Sequence, residues 1–308
     1  MSRTSLLSLG STRALSPASA SRLRVYLALA LGIVCIALSA IFTRVAGVPG
    51  TVSAFYRVAI AAVILAVPFG APATQRRAAI APRVWWLAAA SGVFFALDLA
   101  LWNTALFQTS AANATLLAND APLVVGLGSL IIFHAKLRLH YWAGLVLGLL
   151  GMTIIVGGDV FSGSHLGAGD ALALTAGVAY AGYLLSMQRI RAQIDTLSSL
   201  WIPGVTGAVL LLAVNLVMHE PLIGFPLHSY LALLALGIVS QVIGWLAINY
   251  ALGHLPAAIV SATLLGQPVL TAVFAVMFLG ESLGPAQLLG GLVALAGIYL
   301  VNRGYVRE

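Results

Sequence analysis

Charged residues are scarce in this 308-residue chain. Only 7% of its residues are Asp, Glu, Lys or Arg, whereas soluble proteins carry roughly 25%. Hydrophobic residues make up 61% of the chain, and its mean hydropathy is +1.04. So few polar groups cannot coat a water-soluble globule, which disfavours a cytosolic enzyme, a secreted module and a disordered protein. The composition instead predicts a chain that folds in a lipid bilayer.

Cysteine and recognisable catalytic motifs are also nearly absent. The single cysteine, Cys35, excludes a disulfide framework and a thiolate metal cluster. The sequence has no Walker lysine motif, no metal-ligand histidine spacing and no Gly-x-Ser-x-Gly elbow. We therefore expect no cofactor, no metal and no catalysis. The net charge of +7 comes from dispersed residues at segment ends, so we expect no nucleic-acid partner.

Long uncharged stretches predict ten membrane spans. A spanning helix needs about 20 mostly apolar residues, and a charge inside hydrocarbon costs about 2.5 to 3.5 kcal/mol, so charges tend to mark the helix ends. The predicted spans are residues 25–46, 51–69, 84–107, 111–133, 141–157, 168–187, 197–218, 228–251, 256–279 and 285–302.

Basic residues predict how these spans are oriented. Thirteen of the fifteen Lys and Arg residues fall in the two tails, residues 1–24 and 303–308, or in the even-numbered connections that share their side. Because basic loops stay in the cytoplasm, we expect both termini to be cytoplasmic. The small-residue stretch near the start precedes the apolar run, so we expect no cleaved signal peptide.

The chain repeats itself at a distance of 146 residues. This shift aligns Asn103 with Asn249 and Pro122 with Pro268 without a gap. We predict a first repeat over residues 25–158 and a second over residues 159–302. Five spans per repeat is an odd number, so the second repeat must be inverted, which is a common architecture of secondary transporters. Duplication retained only for packing is the alternative.

Polar residues in the third and eighth spans recur at helical spacing. Two sets of residues recur at a spacing of four, so each set shares one helix face: Phe94, Asp98 and Trp102 in the third span, and Gln241, Trp245 and Asn249 in the eighth. The two spans correspond in the two repeats, and polar groups at bilayer depth commonly mark a pathway. We interpret both faces as the lining of a central cavity. The alternative is that the tryptophans face lipid and the polar atoms bond neighbouring helices.

Matched prolines interrupt the fourth and ninth spans. Pro122 follows Asn119 and Asp120, and Pro268 follows Gln267. Proline removes a backbone donor, and matched interruptions in two repeats point to the central site of a transporter. We predict Pro122 and Pro268 as hinges.

One arginine, Arg57, lies about two turns inside the second span. It could pair with Asp98 or Asp120, or bind the carboxylate of a substrate; we favour an internal pair with Asp98. The complete set of predicted substrate-binding residues is Tyr56, Asp98, Trp102, Asn103, Asn119, Asp120, Tyr180, Gln241, Trp245, Asn249 and Gln267.

Two segments resemble a known family. FLGESLGPAQLLGGLVALAGIYLV, residues 278–301, and FYRVAIAA, residues 55–62, are similar to the EamA-type exporters of the drug/metabolite transporter superfamily. The resemblance implies an all-α membrane protein whose ten transmembrane helices form two inverted five-helix repeats around a central cavity. Its length and aromatic content are similar to the YddG-type amino-acid exporters, which implies efflux of amino acids across the bacterial inner membrane.

These observations lead to one expected function. We expect a secondary transporter that exports small amphipathic metabolites by alternating access, most of all amino acids with apolar or aromatic side chains. Its partners would be a small-molecule substrate and the lipid bilayer; we expect a monomer, with a dimer left open. The alternatives are a proton-coupled multidrug or nucleoside exporter of the same fold and, from a different class, an integral membrane enzyme or scaffold.

Overall fold

The computed structural model describes residues 17–70, 80–105, 108, 117–156, 167–279 and 284–306. The described residues form helices and no strand. The helices are α1 (Pro17–Ala46), α2 (Gly50–Gly70), α3 (Pro82–Ala105), α4 (Ala121–Phe133), α5 (Leu139–Val156), α6 (Ala168–Arg191), α7 (Thr196–Val217), α8 (Leu227–Leu252), α9 (Ala257–Leu264 and Gly266–Leu279) and α10 (Pro285–Val306).

Each predicted span coincides with one of these helices, which confirms the all-α membrane fold. Eight of the described helices are long and apolar enough to cross a membrane, and α4 and α5 are shorter apolar helices. The predicted start of the fourth span, near residue 111, lies outside the described residues. The basic N-terminal tail likewise lies largely outside them.

The outer surface of the bundle is apolar. Large side chains such as Val63, Val67, Trp86, Ile131 and Leu292 are each at least 67% exposed. Apolar surface on this scale would be unfavourable in water, whereas hydrocarbon solvates it as well as a protein core does. The bundle is therefore built to stand in a bilayer.

Equivalent helices of the two repeats run in opposite directions where they meet. At one end of α2, the Asn215 side-chain amide donates to Thr51 O (3.0 Å). About three turns further along α2, Trp201 Nε1, near the start of α7, donates to Ala62 O (2.9 Å). The start of α2 thus contacts the end of α7, so these helices are antiparallel and the second repeat is inverted.

Glycines bring α5 and α10 into backbone contact in the same antiparallel sense. A Cβ on Gly144 would lie 2.7 Å from Gly297 O, and one on Gly290 would lie 2.7 Å from Gly151 O. Neither position has room for a side chain, because backbone atoms of the facing helix already occupy the space. Small residues at this spacing allow the close packing that joins helices in membranes.

The packing pattern as a whole is two-fold symmetric. α3 packs on α6 as α8 packs on α1, and α4 packs on α6 as α9 packs on α1. Exchanging each helix for its equivalent in the other repeat therefore reproduces the arrangement. The predicted boundary between residues 158 and 159 lies outside the described residues and stays a prediction.

Three spans depart from the regular α-helix. α9 is divided by a turn at Leu265, and α4 begins after a turn at Asn119 and Asp120, with Pro122 in its first turn. Proline is tolerated there because the first turn needs no intrahelical donor. α8 contains a π-helical segment, Leu236–Gly244, and such segments are frequent at functional sites.

Candidate functional site

Arg57 and Gln241 connect the two repeats in the interior of the bundle. Arg57 Nε on α2 donates to Gln241 Oε1, at a distance of 2.9 Å, in the π-helical segment of α8. Gln241 is buried, and a buried guanidinium needs acceptors of this kind. The bond therefore fixes the direction of Arg57 and connects the two repeats.

Asp98 on α3 interacts electrostatically with Arg57. Both residues, and Tyr180 on α6, lie deep among the helices yet keep part of their surface accessible to solvent. These three side chains are therefore neither fully buried nor fully exposed. The predicted pair of Arg57 and Asp98 is compatible with this arrangement and stays a prediction.

Four aromatic rings pack against one another, and two of them, Tyr180 and Tyr183, lie near Arg57. The ring of Trp245 lies edge-on to Phe95 (centroids 5.3 Å apart), to Tyr183 (5.2 Å) and to Tyr180 (6.2 Å). The rings of Tyr180 and Tyr183 are parallel. Edge-to-face contacts at these distances are the favoured geometry of aromatic pairs. α3, α6 and α8 thus build a rigid aromatic cage.

Polar atoms of the cage lack partners among the described residues. Trp245 Nε1 and both amide atoms of Asn249 are buried without a hydrogen bond, although Asn249 lies close to the Tyr183 hydroxyl. Leaving such a group unsatisfied costs about 1 to 3 kcal/mol, and native structures rarely tolerate several together. Donor and acceptor atoms that await a partner at one place are what a solute-binding site offers.

We call these residues the central cluster. Its members are Arg57, Phe95, Asp98, Tyr180, Tyr183, Gln241, Trp245 and Asn249. They come from α2 and α3 of the first repeat and from α6 and α8 of the second.

Some of the predicted binding residues lie elsewhere. The Tyr56 hydroxyl donates to Leu222 O (2.6 Å) in the loop before α8. Asn103 Nδ2 donates to Leu99 O (2.6 Å) within its own helix, and its side chain packs on Gly50. Trp102 is partly exposed on α3. Their predicted binding roles are untested, but Tyr56 and Asn103 make structural contacts outside the central cluster.

The remaining predicted residues lie at the two interruptions. Asn119 and Asp120 form the turn before α4, and the Asp120 carboxylate lies against Gly177 of α6. Gln267 lies in the first turn of the second piece of α9, where its Nε2 reaches Ile36 O of α1 at 3.5 Å. The two sites occupy corresponding positions of the repeats. They flank the central cluster and do not form part of it.

Three members of the central cluster are outside the predicted substrate-binding set: Arg57, which is predicted as part of an internal pair, Phe95, and Tyr183, which is expected only to contribute beside Tyr180 from the sixth span. Phe95 lies three residues before Asp98, and Tyr183 lies three residues after Tyr180. A spacing of three places residues on one helix face as well as a spacing of four does. The i, i+3 pattern could therefore have identified Phe95 and Tyr183. Phe94, four residues before Asp98, packs over Gly182 and not in the central cluster.

Comparisons with known proteins agree with this architecture. The model of the EamA-like transporter family matches residues 23–157 and 167–303. A solved crystal structure covers 92% of this chain and 98% of its own, with a TM-score of 0.76 and 19% identity, which shows a shared fold.

Three curated relatives carry transporter or related descriptions. A protein of Streptantibioticus cattleyicolor, "Probable terminal-alkyne amino-acid exporter", is 26% identical over 80% of this chain and 82% of its own length. An "Uncharacterized transporter" of Archaeoglobus fulgidus is 28% identical over 64% and 69%.

A WAT1-related chloroplast protein of Arabidopsis thaliana is 25% identical over 64% of this chain; the match spans about half of that relative, 49%. The family model, in contrast, matches nearly the whole chain in two successive copies, one for each five-helix repeat. This chain therefore belongs to the EamA-like transporter family.

Proposed function

We propose that this transporter exports amino acids with apolar or aromatic side chains, and that the central cluster binds them. The observation that carries the proposal is the presence of a cation, an anion, unpartnered polar atoms and an aromatic cage at one place between the repeats. An amino acid carries a carboxylate, an ammonium and a side chain, and the cluster offers a complement to each.

The charged ends of the solute match Arg57 and Asp98. A guanidinium binds a carboxylate through charge-assisted hydrogen bonds, which are about twice as strong as neutral ones. Asp98 can accept from the ammonium group, while Gln241 holds Arg57 in place through the 2.9 Å bond. In the absence of solute, Arg57 and Asp98 compensate each other, so neither charge is buried alone.

The aromatic cage matches the side chain of the solute. Trp245 is 3% exposed and contacts Phe95, Tyr180 and Tyr183 edge-on. Aromatic rings give large apolar contact area at low entropic cost, because only two dihedral angles are fixed. A ring or a branched chain inserted beside Trp245 would also be near its free Nε1 donor.

During alternating access, the central cluster would open first to one side of the membrane and then to the other. The cluster draws on both repeats, so rocking one repeat against the other changes its exposure without moving it across the membrane. We assign the hinges to Pro122 and Pro268, where α4 and α9 are interrupted.

Both termini are assigned to the cytoplasm of a bacterial cell, and the repeats to residues 25–158 and 159–302. The Streptantibioticus relative is named as a probable amino-acid exporter, which supports an amino acid as the solute.

The test is solute flux through proteoliposomes. Purified protein should accelerate counterflow of labelled phenylalanine and leucine, and less so of lysine or a nucleoside, relative to empty liposomes. Trp245→Ala should lower the phenylalanine rate by at least about tenfold, because it opens the cage. Trp86→Ala, on the lipid-facing surface of α3 and 77% exposed, is the matched control.

Two results would reject the proposal. The first is an amino-acid rate no higher than that of empty liposomes. The second is equal loss in the Trp245 and Trp86 variants, which would show that the cage has no specific role. Preference for the nucleoside would instead favour the alternative exporter of the same fold.

A further inference from the structure

We propose that Asp120 binds and releases a coupling proton during the transport cycle, in the interruption before α4. The proposal extends the transport function above by naming its energy source. It starts from the surroundings of one carboxylate oxygen.

Asp120 Oδ1 is buried and has no hydrogen-bond partner among the described residues. It lies directly over the Gly177 backbone on α6, where a Cβ would also approach Ala118 O to 3.0 Å. Ala118 is four residues before Pro122, so its carbonyl is the one that loses a helical donor to proline. Two oxygen acceptors therefore converge on one glycine, and the described residues supply no hydrogen-bond donor to Asp120 Oδ1.

Within the part of the chain that the structure describes, no charged side chain stabilises an ionised Asp120. α4 and the first piece of α9, Ala257–Leu264, contain no titratable side chain. α5 contributes Tyr141, whose hydroxyl donates to Pro122 O (3.2 Å). α6 contributes Tyr180, one turn from Gly177. Within the described residues, no charged group interacts with Asp120, in contrast to Asp98, which has Arg57.

A protonated carboxyl resolves this arrangement. Its O–H can donate to the Ala118 carbonyl, which satisfies both oxygens with a single hydrogen bond. A metal cation is a poorer solution, because hard cations such as Ca²⁺ and Mg²⁺ gather about six or more oxygen ligands. Gly177 is the residue that allows the approach, since any larger side chain would occupy the position of Oδ1.

The cycle would then exchange one proton between water and the carboxyl. When the interruption opens to water on one side, hydronium gives its proton to the carboxylate and becomes water. When it opens on the other side, the carboxyl returns the proton to water and ionises in a hydrated environment. Because Asp120 lies in the turn that precedes Pro122, its protonation state would favour one bend of α4 over another.

The first test measures the pH-gradient response of flux. In wild-type proteoliposomes, imposing a gradient should change the phenylalanine rate by up to about tenfold per pH unit for one coupled proton. In Asp120→Asn the ratio of rates with and without the gradient should fall to unity, and Asp120→Glu should partly restore it. Glu220→Gln, an equal loss of charge in a loop, should keep the wild-type ratio.

The second test needs no solute. Hydrogen exchange of residues 117–133, corrected for the intrinsic effect of pH, should depend on pH in wild type, Asp120→Glu and Glu220→Gln but not in Asp120→Asn. A wild-type protein without this dependence, or an Asp120→Asn variant that retains it, would overturn the proposal. If the dependence is present while no amino acid is transported, the proposed substrate fails and the proton site stands.

Discussion

The interruptions of α4 and α9 have a similar backbone arrangement but different side chains. Both precede a matched proline, Pro122 or Pro268, and both lie at the interface with an equivalent helix, α6 or α1. The first contains an acid, Asp120, whose oxygen has no partner. At the second, Gly266 aligns with Asp120, and the neighbouring amide of Gln267 already reaches Ile36 O.

This difference separates what the duplication supplies from what the individual residues supply. The repeated backbone gives two places where a helix can bend, related by the two-fold axis. A proton site needs an ionisable group, and only the α4 interruption has one among the described residues. Symmetric motion and asymmetric chemistry can therefore coexist in one chain.

The largest effect should come from Arg57, which serves both repeats at once. Arg57→Leu would leave the Asp98 charge buried without compensation, and breaking a buried pair costs about 3 to 5 kcal/mol. We expect a large loss of thermal stability and of transport. Arg57→Leu combined with Asp98→Asn should recover much of the stability but none of the transport. Thermal unfolding in detergent measures the stability, and phenylalanine counterflow measures the transport. Equal stability of the single and double variants would contradict an Arg57–Asp98 pair.

Two glycines that align between α1 and α6 provide the next comparison, because Gly177 faces the turn before α4 whereas Gly32 faces α8. A Cβ on Gly177 would displace Asp120. A Cβ on Gly32 would instead meet the Ile248 side chain and would lie 3.0 Å from Gly244 O. Each alanine should cost about 1 to 3 kcal/mol through overpacking. Only Gly177→Ala should also alter the response of flux to a pH gradient. An altered response in Gly32→Ala as well would show that overpacking in general changes the response, so that contact with Asp120 has no special part in it.

The two prolines should, in contrast, behave alike. Pro122→Ala and Pro268→Ala restore a backbone donor for Ala118 and Leu264 and so favour a continuous helix. We expect each to slow counterflow several-fold without lowering thermal stability, because a straighter helix resists bending. A slow rate in one variant and a normal rate in the other would show that only one interruption is a hinge.

The smallest effect should come from Gln267. Its hydrogen bond to Ile36 O, at 3.5 Å, is at the limit of such contacts. Gln267→Ala should therefore change thermal stability by less than about 1 kcal/mol and leave the pH-gradient response intact. Loss of that response would place a second proton-sensitive site in α9.

The fold could be predicted from the sequence because hydrocarbon enforces it. Backbone groups in lipid must bond within their own helix, so apolar length alone identified the ten spans and their approximate ends. The inverted repeat followed from parity and from the matched pairs Pro122 with Pro268 and Asn103 with Asn249. The antiparallel contacts of α2 with α7 then confirmed it.

The site could be predicted only in part, because side-chain direction depends on the rotation of each helix. Helical spacing correctly grouped Gln241, Trp245 and Asn249. It could not show that Asn103 packs on Gly50 or that Tyr56 reaches the loop at Leu222. Such contacts are set by close helix approach at glycines and by loop conformation, which carry no periodic signal.

A cysteine at position 249 would test most directly whether a wet binding chamber lies between the repeats. The only native cysteine, Cys35, is 6% exposed and would be replaced by serine. Asn249→Cys should react with a small water-soluble thiol reagent, and phenylalanine should slow the reaction. Ala251→Cys is the control: Ala251 and Asn249 are both fully buried on the same helix, but Ala251 lies outside the central cluster, so it should react far more slowly. An Asn249→Cys protein that remains unlabelled while folded, or whose labelling ignores every amino acid, would contradict a solute site in the central cluster.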